Sequence, residues 1–127
     1  MTEIYNFIDV REFSKALAAI ENLPDDEKIK GRIIIAKADC KYELGIDLEA
    51  LEEYVRYLVI YPDGKGKNFA LMGISVCLKN LDLQSEAKRY LEMIGDGHEG
   101  KEKELKHSKE ILDKQEDAIA TLRVLLE

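Results

Sequence analysis

The chain has no tryptophan, only two prolines, two cysteines and two histidines among its 127 residues, and each shortage closes off a class of protein. So few prolines and turn residues exclude an all-β sandwich, which needs a turn signal roughly every ten residues. Two cysteines cannot build the disulfide framework of a small secreted domain. With no C-x-x-C spacing they also make no redox or zinc motif. Cys40 and Cys77 are therefore expected as reduced, buried packing residues. His98 and His107 have neither the H-E-x-x-H spacing nor paired cysteines beside them, so neither a metal nor a cofactor is expected. No stretch approaches the ~20 apolar residues that cross a bilayer. Met1 to Asp9 lacks the apolar core of a signal peptide, which makes a cytoplasmic location and no membrane insertion the expectation.

What is present is apolar side chain and acid. Hydrophobic residues make up 46% and charged residues 35%, too apolar for disorder and well suited to helices. The length fits one domain or a short array of stacked units. A formal net charge of -7 repels phosphate backbones, so nucleic acid is not an expected partner, whereas a protein carrying basic patches is.

An internal period runs through the chain. An alanine followed four residues later by a large apolar residue occurs as Ala16 with Ile20, Ala50 with Tyr54, Ala87 with Leu91, and Ala118 with Leu122. The alanines are 34, 37 and 31 residues apart, and a period of this size marks helical repeats. The units divide as a partial unit over 1–26, repeats over 27–62 and 65–95, and a divergent capping unit over 99–127.

Hydrophobic spacing and breakers place about seven helices. After a short first helix, Asp9 with Glu12 reads as a capping box that starts a second near Val10, with Phe13, Leu17 and Ile20 on one face. Pro24-Asp-Asp breaks it. The next runs from Glu27 to Leu44 and stops at Gly45. Asp47 caps a helix to Tyr61 whose core stripe is Leu51, Tyr54, Leu58 and Tyr61. Lys67 to Leu81 is apolar nearly all round and belongs mid-stack. Gly73 and Ser75 inside it point to close helix approach. Asp82 to Ile94 turns Ala87, Leu91 and Ile94 inward, and 95–100 is a glycine-rich loop. From Lys101 a solvated helix either continues to the end or bends near Asp113. Val124-Leu-Leu is expected to fold back on the stack, with pairing to a second copy, a homodimer, as the other reading.

Candidate chemistry is thin. Gly64-Lys-Gly-Lys lacks the spacing and the Lys-Ser/Thr ending of a phosphate loop and reads as a turn. Tyr54, Tyr57 and Tyr61 read as inter-helix packing. Arg32, Ile35, Asp39 and Tyr42 fall on one helical stripe by their i, i+3, i+7, i+10 spacing, and so do Phe69, Met72, Val76 and Lys79.

The whole pattern resembles the tetratricopeptide repeat, a 34-residue helix-turn-helix unit with an alanine and a large residue four apart on its second helix and a closing proline. Ala50, Tyr54 and Pro62 stand at those separations, with Leu44-Gly45 before the turn. Where the family's first helix carries Trp, Leu, Gly and Tyr, the two central units carry Ile34, Lys37, Ala38 and Lys41, then Leu71, Ile74, Ser75 and Leu78. Cys40 and Cys77 fall in one slot, which the family fills with a small residue. The resemblance implies an all-α right-handed superhelix, a TPR-like fold whose first helices line a concave groove. The two stripes would then be the groove wall, open to a helical or extended peptide of a partner protein, unless the C-terminal helix covers Phe69, Met72 and Val76. It implies a non-catalytic protein-protein interaction module, a scaffold or adaptor. A small cytoplasmic secretion or assembly chaperone is the alternative. A helical-bundle ligand carrier or enzyme is another, which would need an enclosed cavity beside Asp39, Tyr42 and His98.

Overall fold

The computed structural model describes residues 2–94 and 101–126, with only part of the side chains of the last helix. The loop expected over 95–100, with His98, lies outside the described residues, as does the His107 side chain. Among the described residues there are eight helices and no strand: α1 (Thr2–Asp9), α2 (Phe13–Glu21), α3 (Asp25–Lys28), α4 (Gly31–Glu43), α5 (Asp47–Ile60), α6 (Lys67–Asn80), α7 (Gln84–Glu92) and α8 (Lys101–Leu126). None is long and apolar enough to cross a membrane. The all-α expectation holds. The count passes seven because the helix expected from Glu27 to Leu44 is broken. Lys30 is extended at φ -66, ψ 137, and Tyr61 donates its hydroxyl to the Ile29 carbonyl at 2.7 Å. A four-residue α3 is left behind Pro24, and α4 starts afresh at Gly31.

Three of the joints are alike. Arg11, Gly45 and Asp82 have left-handed backbone, with φ of 60, 78 and 63. In each, the N–H of that residue bonds the carbonyl three back, Ile8, Tyr42 or Lys79, at 3.0 Å. The N–H of the next residue bonds the carbonyl five back: Glu12 to Phe7 at 2.8 Å, Ile46 to Lys41 at 2.9 Å and Leu83 to Leu78 at 2.8 Å. This bond pair satisfies the last carbonyls of a helix through backbone alone. The side-chain caps expected from Asp9 with Glu12 and from Asp47 are accordingly not used. α1 runs through Asp9, and α2 and α5 follow Glu12 and Ile46 with no capping hydrogen bond.

Five residues past each left-handed position stands an alanine, Ala16, Ala50 and Ala87, each 0% exposed. Each stands at the same distance from its joint, so the spacing of the alanines in the sequence is the spacing of the joints. The fourth alanine breaks the series: Ala118 lies within α8, which continues as one helix past Asp113.

Packing is serial. α1 meets α2, α2 meets α4, and from α4 each helix meets the next through to α8, with α4 also touching α6. Ile4, Ile20, Ile33 and Ala36 form a first core between α1, α2 and α4. The second and largest joins α4 to α7 around Ile34, Ala38, Tyr54, Tyr57, Ile74 and Cys77. Leu71, Leu91 and Ile94 form the third, against which Leu105 of α8 packs. α4 also spans the stack electrostatically, because Lys37 reaches Glu21 of α2 at 3.3 Å and Glu53 of α5 at 3.5 Å.

The small residues inside α6 do what their size allows. Gly73 sits against the ring of Tyr54, and Ser75, buried, donates its hydroxyl to the Ala87 carbonyl at 3.0 Å. Cys40 and Cys77 are free thiols with no exposed surface. Burial pushes them up to about 11 and about 12, so both stay protonated.

Among the described residues, α8 docks by its first turns. Lys101 donates to the Ile94 carbonyl at 2.7 Å, and Glu104 pairs with Lys79 at 3.4 Å. From Lys106 onward every side chain described is exposed. Val124, expected to fold back on the stack, is 73% exposed. The reason is length: α7 has nine residues and α8 twenty-six, so α8 runs on after its neighbour has ended.

Candidate binding groove

α4 and α6 lie side by side, and the two stripes read from the sequence face one shared surface. Arg32, Ile35 and Asp39 from α4 and Phe69 from α6 border one hollow of about 510 Å³. Asp39, Tyr42, Phe69, Met72 and Val76 border an adjoining one of about 400 Å³. Both open to solvent, and they share Asp39, Phe69 and Ile8 of α1. Ile35, Met72 and Val76 are half-buried, while Phe69 is 63% exposed. No described residue of α8 lines either hollow. Lys79 is the exception among the expected residues. It lines neither hollow, because its ammonium is drawn to Glu104 of α8.

The polar centre of the groove is Asp39. Its Oδ1 accepts a hydrogen bond from the hydroxyl of Tyr54, which reaches it from α5 through the space left by Gly73. Burial raises the Asp39 carboxyl above its ordinary range. The Tyr54 hydrogen bond pulls the other way, and the charge of Glu43 adds to the rise. The Tyr54 phenol is pushed far up by burial and by the Asp39 charge. Tyr42, at the same end, is raised by burial and then by Glu43. Glu43 is itself bridged by Arg11 at 3.1 Å, and that guanidinium lies 5.2 Å from the centre of the Phe13 ring. Among the described residues Asp39 forms no salt bridge, although Arg32 and Lys65 border the same hollow. Nor does any group of three or more histidine, cysteine, aspartate and glutamate side chains there stand ready to hold a metal ion.

The groove has a third wall that the stripes did not include. Tyr5 and Ile8 of α1 line it. The signal for them was in the repeat: counted back from the left-handed residues, Ile8, Tyr42 and Lys79 are equivalent, and so are Tyr5, Asp39 and Val76. The arrangement offers a mainly apolar trough with the hydrogen-bonded carboxylate of Asp39 where the two hollows meet, and with Arg11, Glu43, Arg32 and Lys65 at its borders. No protein family, no curated protein and no solved structure matches the chain.

Proposed function

We propose that the chain is a non-catalytic protein-protein interaction module with a tetratricopeptide-like arrangement, and that its groove takes an amphipathic peptide of a partner protein. The observation that carries this is the composition of the trough. Ile35, Met72 and Val76 leave apolar surface half-open and Phe69 leaves most of its ring open, around Asp39. A helical or extended segment lays alternate apolar side chains into such a trough. A lysine or arginine among them meets Asp39, the acid that both hollows share and that forms no salt bridge among the described residues. The recurrence of one joint at Arg11, Gly45 and Asp82 supports the repeat arrangement.

The test uses two labelled amphipathic 16-residue peptides that share an apolar face, one with lysines and one with glutamates on the polar flank, measured by fluorescence anisotropy. The lysine peptide is expected to bind at least ten-fold more tightly. Met72→Glu abolishes its binding, and Asp39→Asn removes the preference between the two. Equal affinity of both peptides for the wild type and for Met72→Glu defeats the reading.

A further inference from the structure

We infer that the far half of α8 is a self-association helix that pairs antiparallel with the same segment of a second copy. The inference is independent of the groove. α8 is about 39 Å long and its neighbour α7 about 14 Å at 1.5 Å per residue, so α8 exceeds its neighbour by more than half of its own length. The face that docks is identified by Leu105, which packs against Leu91 and Ile94. Continued along the sequence by alternate steps of three and four, the register from Leu105 runs through Ser108, Leu112, Gln115, Ile119, Leu122 and Leu126. This is a heptad seam, flanked on one side by Ala118 and Leu125. Leu122, on it, is 56% exposed.

Charge selects the occupant and the direction. On the other flank of the seam stand Glu116 and Arg123, one heptad apart and of opposite sign. An antiparallel pair that sets Ile119 against Leu122 of the second copy brings Glu116 to Arg123 and Arg123 to Glu116. It also sets the small Ala118 against the large Leu125 on both sides. Shifting the pair by one heptad puts Glu116 against Glu116 and Lys109 against Arg123, both repulsive. A parallel pair places Glu116 and Arg123 beside apolar flank positions and makes neither ion pair. A register two heptads away would require the face at Leu105, which the third core already occupies. The favoured overlap is residues 115–126, about 18 Å of helix. That is short of the ~800 Å² per partner of a stable interface, so the dimer dissociates on dilution.

Sedimentation velocity on the full chain across a hundred-fold range of concentration reads the outcome. Wild type is expected to move from 14.5 kDa to twice that mass. Glu116→Arg alone and Arg123→Glu alone each weaken the dimer at least ten-fold, the double variant recovers it, and the two single variants mixed form a heterodimer. Leu122→Glu abolishes association while circular dichroism and melting temperature stay as in wild type, since Leu122 is exposed. A chain monomeric throughout overturns the inference. So does a dimer indifferent to both charge reversals, which would place the interface elsewhere, and so do open-ended oligomers, which would mean that α8 enters the groove of the next copy.

Discussion

Gly73 and Tyr54 are fitted to each other: a Cβ built on Gly73 would stand 2.5 Å from Cε2 and 2.6 Å from Cε1 of the Tyr54 ring. Alanine in a helix interior is ordinarily favoured over glycine by roughly 1 kcal/mol. Here the ring cannot swing aside, because Tyr54 is 3% exposed and its hydroxyl is held by Asp39. Gly73→Ala is therefore expected to destabilise by about 1–3 kcal/mol, the range for overpacking. A lower urea midpoint at unchanged slope is the reading that checks it.

Tyr54→Phe keeps the ring against Gly73 and removes only the donor to Asp39. The carboxyl still meets water in the open groove, so the cost is about 1 kcal/mol rather than the larger value of a sealed pair. Losing the donor that lowers the Asp39 pKa raises it further. The sign for stability follows. A carboxyl whose folded pKa lies above its ordinary value of 3.8 holds its proton more tightly folded than unfolded. Its contribution then falls as pH rises from that value through the raised one. Asp39→Asn is expected to flatten that limb of the stability profile, and Tyr54→Phe to extend it upward in pH. Carboxyl-carbon NMR titration of Asp39 reports the shift directly.

The three left-handed joints differ in how well their residues suit them. Glycine adopts this backbone freely, aspartate tolerates it, and arginine carries a strain of about 1 kcal/mol. The Arg11 bridge to Glu43 is exposed at 72% and 36% of the two side chains, so its loss costs well under 1 kcal/mol. Arg11→Gly is expected to leave stability unchanged or raise it by up to about 1 kcal/mol. Asp82→Gly gains less, and Gly45→Ala costs about 1 kcal/mol. Urea unfolding of the three variants gives the order.

The two thiols should be silent in the native protein. In the unfolded chain they ionise near 9.0, in the folded chain at about 11 for Cys40 and about 12 for Cys77. Between those values the folded state holds more protons, so stability declines as pH rises above 9.0. Alkylation by iodoacetamide at pH 8 is expected to be slower by several orders of magnitude than in urea, with both sites protected alike. Rapid labelling of either cysteine under native conditions contradicts the buried placement.

Much of this architecture was legible because one constraint writes itself into residue size. The alanines at 16, 50 and 87 are small where two helices touch, and their intervals located the joints. The groove stripes were legible because α4 and α6 are regular helices, and i, i+3, i+7 spacing survives folding unchanged. What failed was local. Asp9 with Glu12 looks like a cap, but a backbone hydrogen-bond pair ends α1, and that motif has no obligatory side chain, since Arg11 and Asp82 stand where Gly45 does. The break at Lys30 comes from a hydroxyl thirty-one residues away, on Tyr61, bonding Ile29. Lys37 stands where the resembled family's first helix carries leucine; its partners Glu21 and Glu53 come from two other helices. Val124 was read by hydrophobicity alone, whereas its exposure depends on where α7 stops.

Because the backbone bonds at Arg11, Gly45 and Asp82 are the same, a polypeptide cut after one of these residues and resumed after another would keep the joint whole. Copying residues 46–82 in tandem should add one more hairpin to the row without disturbing either end. The size of such a protein is then an evolutionary variable, altered by duplicating a segment rather than by redesigning an interior.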